Sequence, residues 1–89
     1  MATTQPDPSP LQPNTEIDAA EIEILKYLAK SNGKIAPDIY SAIAKIDRVR
    51  AKYYFVKLAR DGFLIFRTVR GDYVLAHKGR EYLVKHNLV

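Results

Sequence analysis

The apolar positions of this chain follow helical spacing from residue 17 to residue 61, strand spacing over residues 63–76, and helical spacing again up to residue 87. The first stripe at helical spacing consists of Ile24, Leu25 and Leu28. Asp18 and Glu21 precede it at the spacing of a capping box, in which the two side chains accept backbone amides at the start of a helix. Because Gly33 supplies a stop signal, the pattern predicts a helix over residues 19–31.

A second, shorter helix is predicted over residues 37–44, after a short extended link at residues 34–36. Pro37 suits its first position, where the missing amide of proline costs nothing. The apolar residues that we expect it to bury are Ile43 and either Ile39 or Tyr40. Lys45-Ile46 leaves room only for a tight turn into the next helix, which makes a helix-turn-helix.

The third predicted helix, over residues 48–61, has two different faces. Its apolar side consists of Ala51, Phe55 and Leu58. Asp47 is a suitable N-cap because its carboxylate can accept amides of the first turn, and Gly62 can adopt the left-handed conformation that ends a helix. The remaining surface is basic with one aromatic side chain, which suits burial on one side and a polyanion on the other.

Strand-like spacing follows Gly62, because residues 63–69 and 73–76 are rich in β-branched and aromatic side chains. A two-residue turn at Gly71-Asp72 predicts a hairpin. The predicted pairs are Arg70 with Tyr73, Thr68 with Leu75, and Phe66 with His77. The side chains expected to face the core are Leu64, Phe66, Tyr73 and Leu75. The opposite face then carries an outward apolar stripe of Ile65, Val69 and Val74.

A last helix is predicted over residues 77–87, with Tyr82 and Leu83 turned inward. Ala76 is a poor cap for it, since alanine has no side-chain acceptor. The order of elements is therefore helix, short strand, helix, helix, two-stranded hairpin, helix, which is an α+β fold.

The N-terminal segment, residues 1–16, differs in composition from the rest of the chain. It holds four of the five prolines, and Leu11 is its one large apolar residue after the first methionine. Such a segment cannot bury enough surface to offset its ordering entropy. We therefore expect a disordered proline-rich tail followed by a single domain of residues 17–89.

Positive charge is concentrated in the middle of the chain. The formal net charge is +4, but residues 45–70 hold eight basic residues against Asp47 and Asp61, a net +6 for that segment. The basic residues are Lys45, Arg48, Arg50, Lys52, Lys57, Arg60, Arg67 and Arg70. Concentrated positive charge attracts phosphates and other anions.

Two sequence motifs resemble those of winged helix-turn-helix DNA-binding domains, of the small transcription-regulator type. Leu58-Ala-Arg-Asp-Gly62-Phe63-Leu64 is similar to the segment where the recognition helix of that family runs into its wing. Tyr73-Val-Leu75-Ala-His-Lys78-Gly79-Arg80 is similar to the segment that leads from the wing into the last helix, with Ala76 where the family commonly has Thr or Ser. The resemblance covers residues 17–89.

The resemblance implies a double-stranded DNA-binding protein, either a small transcriptional regulator or a DNA-associated accessory factor. Its recognition helix, residues 48–61, would lie in the major groove, and its wing, residues 63–76, on the backbone or in the minor groove. The DNA contacts implied are Arg48, Arg50, Lys52, Tyr53, Lys57 and Arg60 on the helix, and Arg67, Thr68, Arg70 and Gly71 on the wing. An arginine can read guanine, whereas lysine mostly supplies charge to phosphate.

Other classes of function have less support in the sequence. No catalytic set of nucleophile, base and orienting acid can be assembled, so we expect no enzyme, no cofactor and no small-molecule ligand. His77 and His86 lack cysteine or carboxylate partners, and we expect no metal site. With no signal peptide and no apolar run that could span a membrane, we expect a soluble protein that is cytoplasmic, on the nucleoid, or nuclear.

Two alternatives to duplex binding stay open at this stage. A winged helix can instead be a protein-interaction module, with an acidic partner on the basic helix or as a structural homodimer. A homodimer is also a common way for a small domain to enlarge its contact with DNA. The second alternative is binding of RNA or a single strand, although the chain lacks a row of exposed aromatic residues.

Overall fold

The computed structural model describes residues 17–89, and the predicted proline-rich tail of residues 1–16 lies outside them. The elements in chain order are α1 (Ala19–Lys30), β1 (Lys34–Ile35), α2 (Pro37–Ala44), α3 (Arg48–Arg60), β2 (Leu64–Arg67), β3 (Asp72–Leu75) and α4 (His77–Lys85). This α+β order is the predicted one, and it is compatible with a winged-helix-like layout. None of the helices in the described part is long and apolar enough to cross a membrane.

Short-range side-chain signals define where the helices begin. The backbone N–H of Asp18 donates to Glu21 Oε1 at 2.9 Å at the start of α1, as the capping-box spacing predicts. The backbone N–H of Arg50 donates to Asp47 Oδ2 at 3.0 Å, which confirms Asp47 as the N-cap of α3. No side chain caps the start of α4, where Ala76 stands. These caps satisfy amides that have no partner within the helix.

The end of α3 is closed both by its own glycine and by α4. Gly62 has a φ of +90°, and the N–H of Phe63 donates to the carbonyl of Leu58 at 2.9 Å, in the manner of a Schellman motif. Lys78 Nζ of α4 donates to the carbonyl of Asp61 at 2.7 Å and lies 4.8 Å from the centre of the Phe63 ring. The stop predicted at Gly62 is thus confirmed, and α4 supplies a positive charge where the helix dipole is negative.

The core-facing side of α2 differs in part from the prediction. Tyr40 is buried, and its ring lies edge-on to Tyr27 of α1 and Phe55 of α3, with ring centres 5.5 Å apart in each pair. Ile43 is exposed, so its predicted burial is wrong, and Ile39 is exposed as well. The reason is that Tyr40 fills the space between α1 and α3, which leaves both isoleucines on the outer side of this two-turn helix.

The three strands form one antiparallel sheet in the order β1-β3-β2. The β2–β3 pairs are Leu64 with Leu75, Ile65 with Val74, Phe66 with Tyr73, and Arg67 with Asp72. The predicted register is therefore wrong, because residues 68–71 form the connection and Asp72 already belongs to β3. The physical reason is the ion pair of Arg67 with Asp72. With this pair formed, each β3 residue pairs with a β2 residue four positions nearer the N-terminus than predicted. Gly71, with a φ of +69°, is then the last residue of the turn.

The change of register leaves each side chain on its predicted face of the hairpin. The predicted and observed pairings differ by an even number of residues, so every strand side chain keeps its side of the sheet. The predicted core residues Leu64, Tyr73 and Leu75 are buried. Phe66 is 46% exposed, contrary to prediction. The reason is that the ring of Tyr73 packs against Phe55 in the core. The ring of Phe66 lies on the outer side of Tyr73, with ring centres 4.9 Å apart.

Helix α4 packs closely against the start of β2. Leu83 is buried and the ring of Tyr82 lies edge-on to Phe63 at 5.6 Å, so both are turned inward as predicted. The helix ends two residues before the predicted residue 87. A Cβ on Gly79 would lie 2.6 Å from the Phe63 carbonyl oxygen and 2.8 Å from Leu75 Cδ1, so only glycine permits this approach.

Candidate nucleic-acid interface

Helix α3 is anchored by one face and presents the other to solvent. Ala51, Phe55 and Leu58 are fully buried, as the spacing predicts. The side chains on the rest of the helix therefore point sideways or outward. Which of its basic residues remain available then depends on the carboxylates that neighbouring elements place beside them.

Two of these basic residues are engaged with carboxylates of other helices. Arg48 Nη2 lies 3.5 Å from Asp38 Oδ2 of α2, and both side chains are largely exposed. Lys57 Nζ lies 3.3 Å from each carboxylate oxygen of Glu21, which is fully buried on α1, and 3.8 Å from Asp61 Oδ2. Exposed pairs contribute little and open easily, whereas a pair with one buried member is costly to break.

The pKa of Lys57 reflects this environment. Burial lowers it, but the hydrogen bond to Glu21 and the negative charges of Glu21 and Asp61 outweigh burial and raise the pKa above its ordinary value. The ammonium is therefore charged at neutral pH and directed toward α1. Lys57 is therefore held by α1, although it lies on the same flank of α3 as the exposed Arg50.

Three predicted contact residues on α3 stand in a different situation. Arg50, Lys52 and Arg60 are exposed, and within residues 17–89 they form no ion pair with a carboxylate. Lys52 also lines a shallow cleft that separates α3 from the hairpin and is bordered by Asp38, Phe66 and Gly71. Through this cleft Lys52 and the hairpin turn share one side of the domain.

Of the four predicted DNA contacts on the hairpin, one is engaged with a carboxylate and three are exposed. Arg67 binds Asp72 through two hydrogen bonds, from Nε at 2.8 Å and from Nη2 at 2.7 Å, and so serves the closure of the hairpin. Thr68, Arg70 and Gly71 lie exposed in the turn. Arg70 is thus the basic residue of the turn that forms no ion pair within residues 17–89.

The Arg67–Asp72 pair has a consequence that can be measured by titration. The hydrogen bonds from Arg67, together with its charge and those of Lys34 and Arg70, lower the pKa of Asp72 below its ordinary value. The stabilisation from this pair should be complete above the ordinary aspartate pKa of about 3.9 and should disappear as the pH falls through the lowered pKa. In a carboxyl-carbon NMR titration, Asp72 should titrate below that value in the wild type, and Arg67→Gln should move the midpoint upward. A midpoint unchanged by Arg67→Gln would contradict the pairing.

Helix α3 also carries an exposed apolar line that the sequence pattern did not predict. Val49, Tyr53 and Val56 are 77%, 60% and 36% exposed, respectively. Their spacing of four and three residues matches that of the buried stripe, so the helix carries a second apolar line beside the one predicted. Tyr53 was predicted as a DNA contact; its exposed ring lies edge-on to Tyr54, with ring centres 5.7 Å apart.

The two histidines were predicted to lack carboxylate partners and to form no metal site. His77 Nε2 lies 3.0 Å from Glu81 Oε2, so the prediction that it lacks a carboxylate partner is wrong, because residues four apart meet on one face of a helix. Across residues 17–89 no group of three or more His, Asp or Glu side chains is placed to hold a metal ion.

Comparisons of the chain with protein-family models, with curated proteins and with solved structures found no match.

Proposed function

We propose that this protein is a winged helix-turn-helix domain that binds double-stranded DNA, as a small transcriptional regulator or an accessory factor. In this proposal α3 enters the major groove and the hairpin turn contacts the backbone or the adjacent minor groove. The observation that supports it is the outward placement of Arg50, Lys52 and Arg60, with no carboxylate partner among residues 17–89.

Binding would rest on phosphate neutralisation by a small number of side chains. The candidates are Arg48, Arg50, Lys52 and Arg60 of α3 together with Arg70 of the hairpin turn, with Thr68 and Gly71 beside it. Arg48 is included because its pair with Asp38 is exposed and easily exchanged for a phosphate. Lys57 and Arg67 are left out, since their partners Glu21 and Asp72 hold them in roles within the fold.

The dependence of affinity on salt tests this proposal. Neutralising about four or five phosphates releases a matching number of counterions, so log affinity should fall against log salt concentration with a slope of about −4. Fluorescence anisotropy of a labelled duplex at several salt concentrations measures that slope. The double variant Arg50→Gln/Arg60→Gln should reduce its magnitude by about 2.

A matched double variant controls for the total charge. Arg80→Gln/Lys85→Gln removes two exposed charges from α4 and should leave the slope close to that of the wild type. Equal effects of the two double variants would mean that overall charge, rather than α3, governs binding. A slope near zero in the wild type would remove the electrostatic mechanism altogether.

A homodimer is the second candidate, either as the DNA-binding form or as a protein-interaction module. The exposure of Ile39 and Ile43 on the outer side of α2 favours it, since large apolar side chains that lie together commonly mark protein contacts. NMR spectra recorded over a range of protein concentrations without DNA distinguish the cases. Changes confined to α2 support a dimer, whereas changes in α3 and the hairpin on adding duplex support DNA binding by the proposed face.

A further inference from the structure

Over residues 49–56, the part of α3 that lies farthest from the core is apolar and the basic residues lie beside it, while Arg60 continues the same side at the end of the helix. Val49, Tyr53 and Val56 form a line opposite the buried stripe of Ala51, Phe55 and Leu58. At about 100° per residue, the three side chains fall within about 60° of one another around the helix. We name this line the outer stripe. Residues 17–89 leave Val49 and Tyr53 largely uncovered and Val56 about one third exposed, so core packing does not account for the stripe.

Basic side chains border the outer stripe on both sides. Arg48 and Lys52 lie on the flank that faces α2 and the hairpin, where Asp38 pairs with Arg48 and borders the same cleft as Lys52. Arg50 and Lys57 lie on the other flank, where Lys57 is directed toward Glu21 of α1. A partner that matches this layout has negative charge at its two edges and apolar groups along its middle.

The major groove of DNA has that layout where thymine is present. Two rows of phosphates border the groove, and the C5-methyl group of thymine is the apolar feature on its floor. A helix inserted with the outer stripe toward the floor places Arg48 and Lys52 near one row of phosphates and Arg50 near the other. The rigid ring of Tyr53, supported by Tyr54, adds apolar area with few rotatable bonds.

We infer that the outer stripe of Val49, Tyr53 and Val56 reads C5-methyl groups in the major groove, so that the protein prefers thymine-containing sequence. This inference rests on the proposed function, which it extends from charge to sequence preference. It also changes the roles expected from the resemblance, in which Arg48 or Arg50 would read guanine. Here these arginines hold phosphates, and selectivity comes from apolar contact.

Two pairs of short duplexes test the inference, each pair differing only in the major-groove methyl group. One pair compares alternating A·T sequence with the same sequence carrying deoxyuridine for thymidine. The other compares alternating G·C sequence with and without 5-methylcytosine. Each methyl group buried in the complex should strengthen binding about fourfold, so the methylated member of both pairs should bind at least that much more tightly.

A matched pair of variants assigns the effect to the outer stripe. Val49→Ala/Val56→Ala should lose most of the preference for methylated duplexes and keep the slope of affinity against salt. Ile65→Ala, which shortens an exposed apolar residue of the hairpin instead, should keep both. Because all three positions are exposed, these variants should fold, and circular dichroism checks that they do.

The outcomes separate this inference from the proposed function. Equal affinity of the wild type for both members of each pair, with the salt slope retained, overturns methyl reading and leaves DNA binding intact. Absence of binding to every duplex overturns both. NMR changes at Val49 and Val56 that depend on protein concentration without DNA also overturn methyl reading, because a second copy then covers the outer stripe.

Discussion

Replacing Lys57 with methionine should lower the free energy of unfolding by about 2–3 kcal/mol, because it leaves the buried carboxylate of Glu21 without its ammonium partner. Methionine keeps most of the volume of the side chain and removes the ammonium with its charge and its hydrogen bonds to Glu21. The effect should lie toward the low end for broken buried pairs, since the lysine is 32% exposed and water can reach it. Urea denaturation followed by circular dichroism measures the change.

Lys52→Met is the matched control, because Lys52 lies on the same helix and is exposed, with no ion pair among residues 17–89. Its effect on stability should stay within about 0.5 kcal/mol. The double variant Glu21→Gln/Lys57→Met should recover much of the loss, since glutamine keeps an acceptor for the Asp18 amide and no buried charge is left unpaired. Similar losses from Lys57→Met and Lys52→Met would contradict a structural role for the Glu21–Lys57 pair.

The Glu21–Lys57 pair should also make the stability of the protein depend on pH. The pKa of Lys57 is raised in the folded protein, so its contribution should be complete below the ordinary lysine pKa of about 10.4. The contribution should disappear as the pH rises through the raised value. The stability difference between the wild type and Lys57→Met should therefore be constant from neutral pH to about pH 10 and shrink above it.

Replacing Gly79 with alanine should destabilise the protein by about 1–3 kcal/mol, although alanine is the better helix former by about 1 kcal/mol. The added Cβ would lie 2.6 Å from the backbone oxygen of Phe63, which cannot move without shifting β2. That oxygen also accepts the N–H of Ala76 at 3.0 Å, so a displacement weakens the start of α4 as well. Thermal and urea unfolding measure the loss.

Arg80→Ala serves as the comparison for Gly79→Ala, since it changes the next, exposed residue of α4 to the same amino acid. It should change stability by no more than about 0.5 kcal/mol. If Gly79→Ala instead raised stability, as it does at an exposed helix position, the close approach of α4 to Phe63 would be wrong.

The parts of the fold that follow local rules could be predicted from the sequence. Asp18, Pro37 and Asp47 mark helix starts through contacts within one turn, and the chain begins its helices beside each of them. The hairpin turn was misplaced because Gly71-Asp72 satisfies local turn chemistry. The contact that decides the register, Arg67 with Asp72, competes with that signal and is not visible in the turn residues alone.

The availability of the basic residues could not be predicted, because it depends on contacts between distant parts of the chain. The partner of Lys57 lies 36 positions away on α1, and that of Arg48 lies ten positions away on α2. A count of charge over residues 45–70 treats all eight bases alike. The folded chain engages Arg48, Lys57 and Arg67 with carboxylates and so reduces the freely available charge of that segment.

The position of β3 in the sheet has a consequence for synthesis of the chain. Because β3 lies between β1 and β2, neither of the other strands has a partner until residue 75 has left the ribosome. The end of α3 likewise waits for Lys78, whose ammonium binds the carbonyl of Asp61. The domain therefore cannot complete its folding from the N-terminus onward, and a nascent chain that ends before residue 72 contains the segments of three helices but no partner strand for β1 or β2.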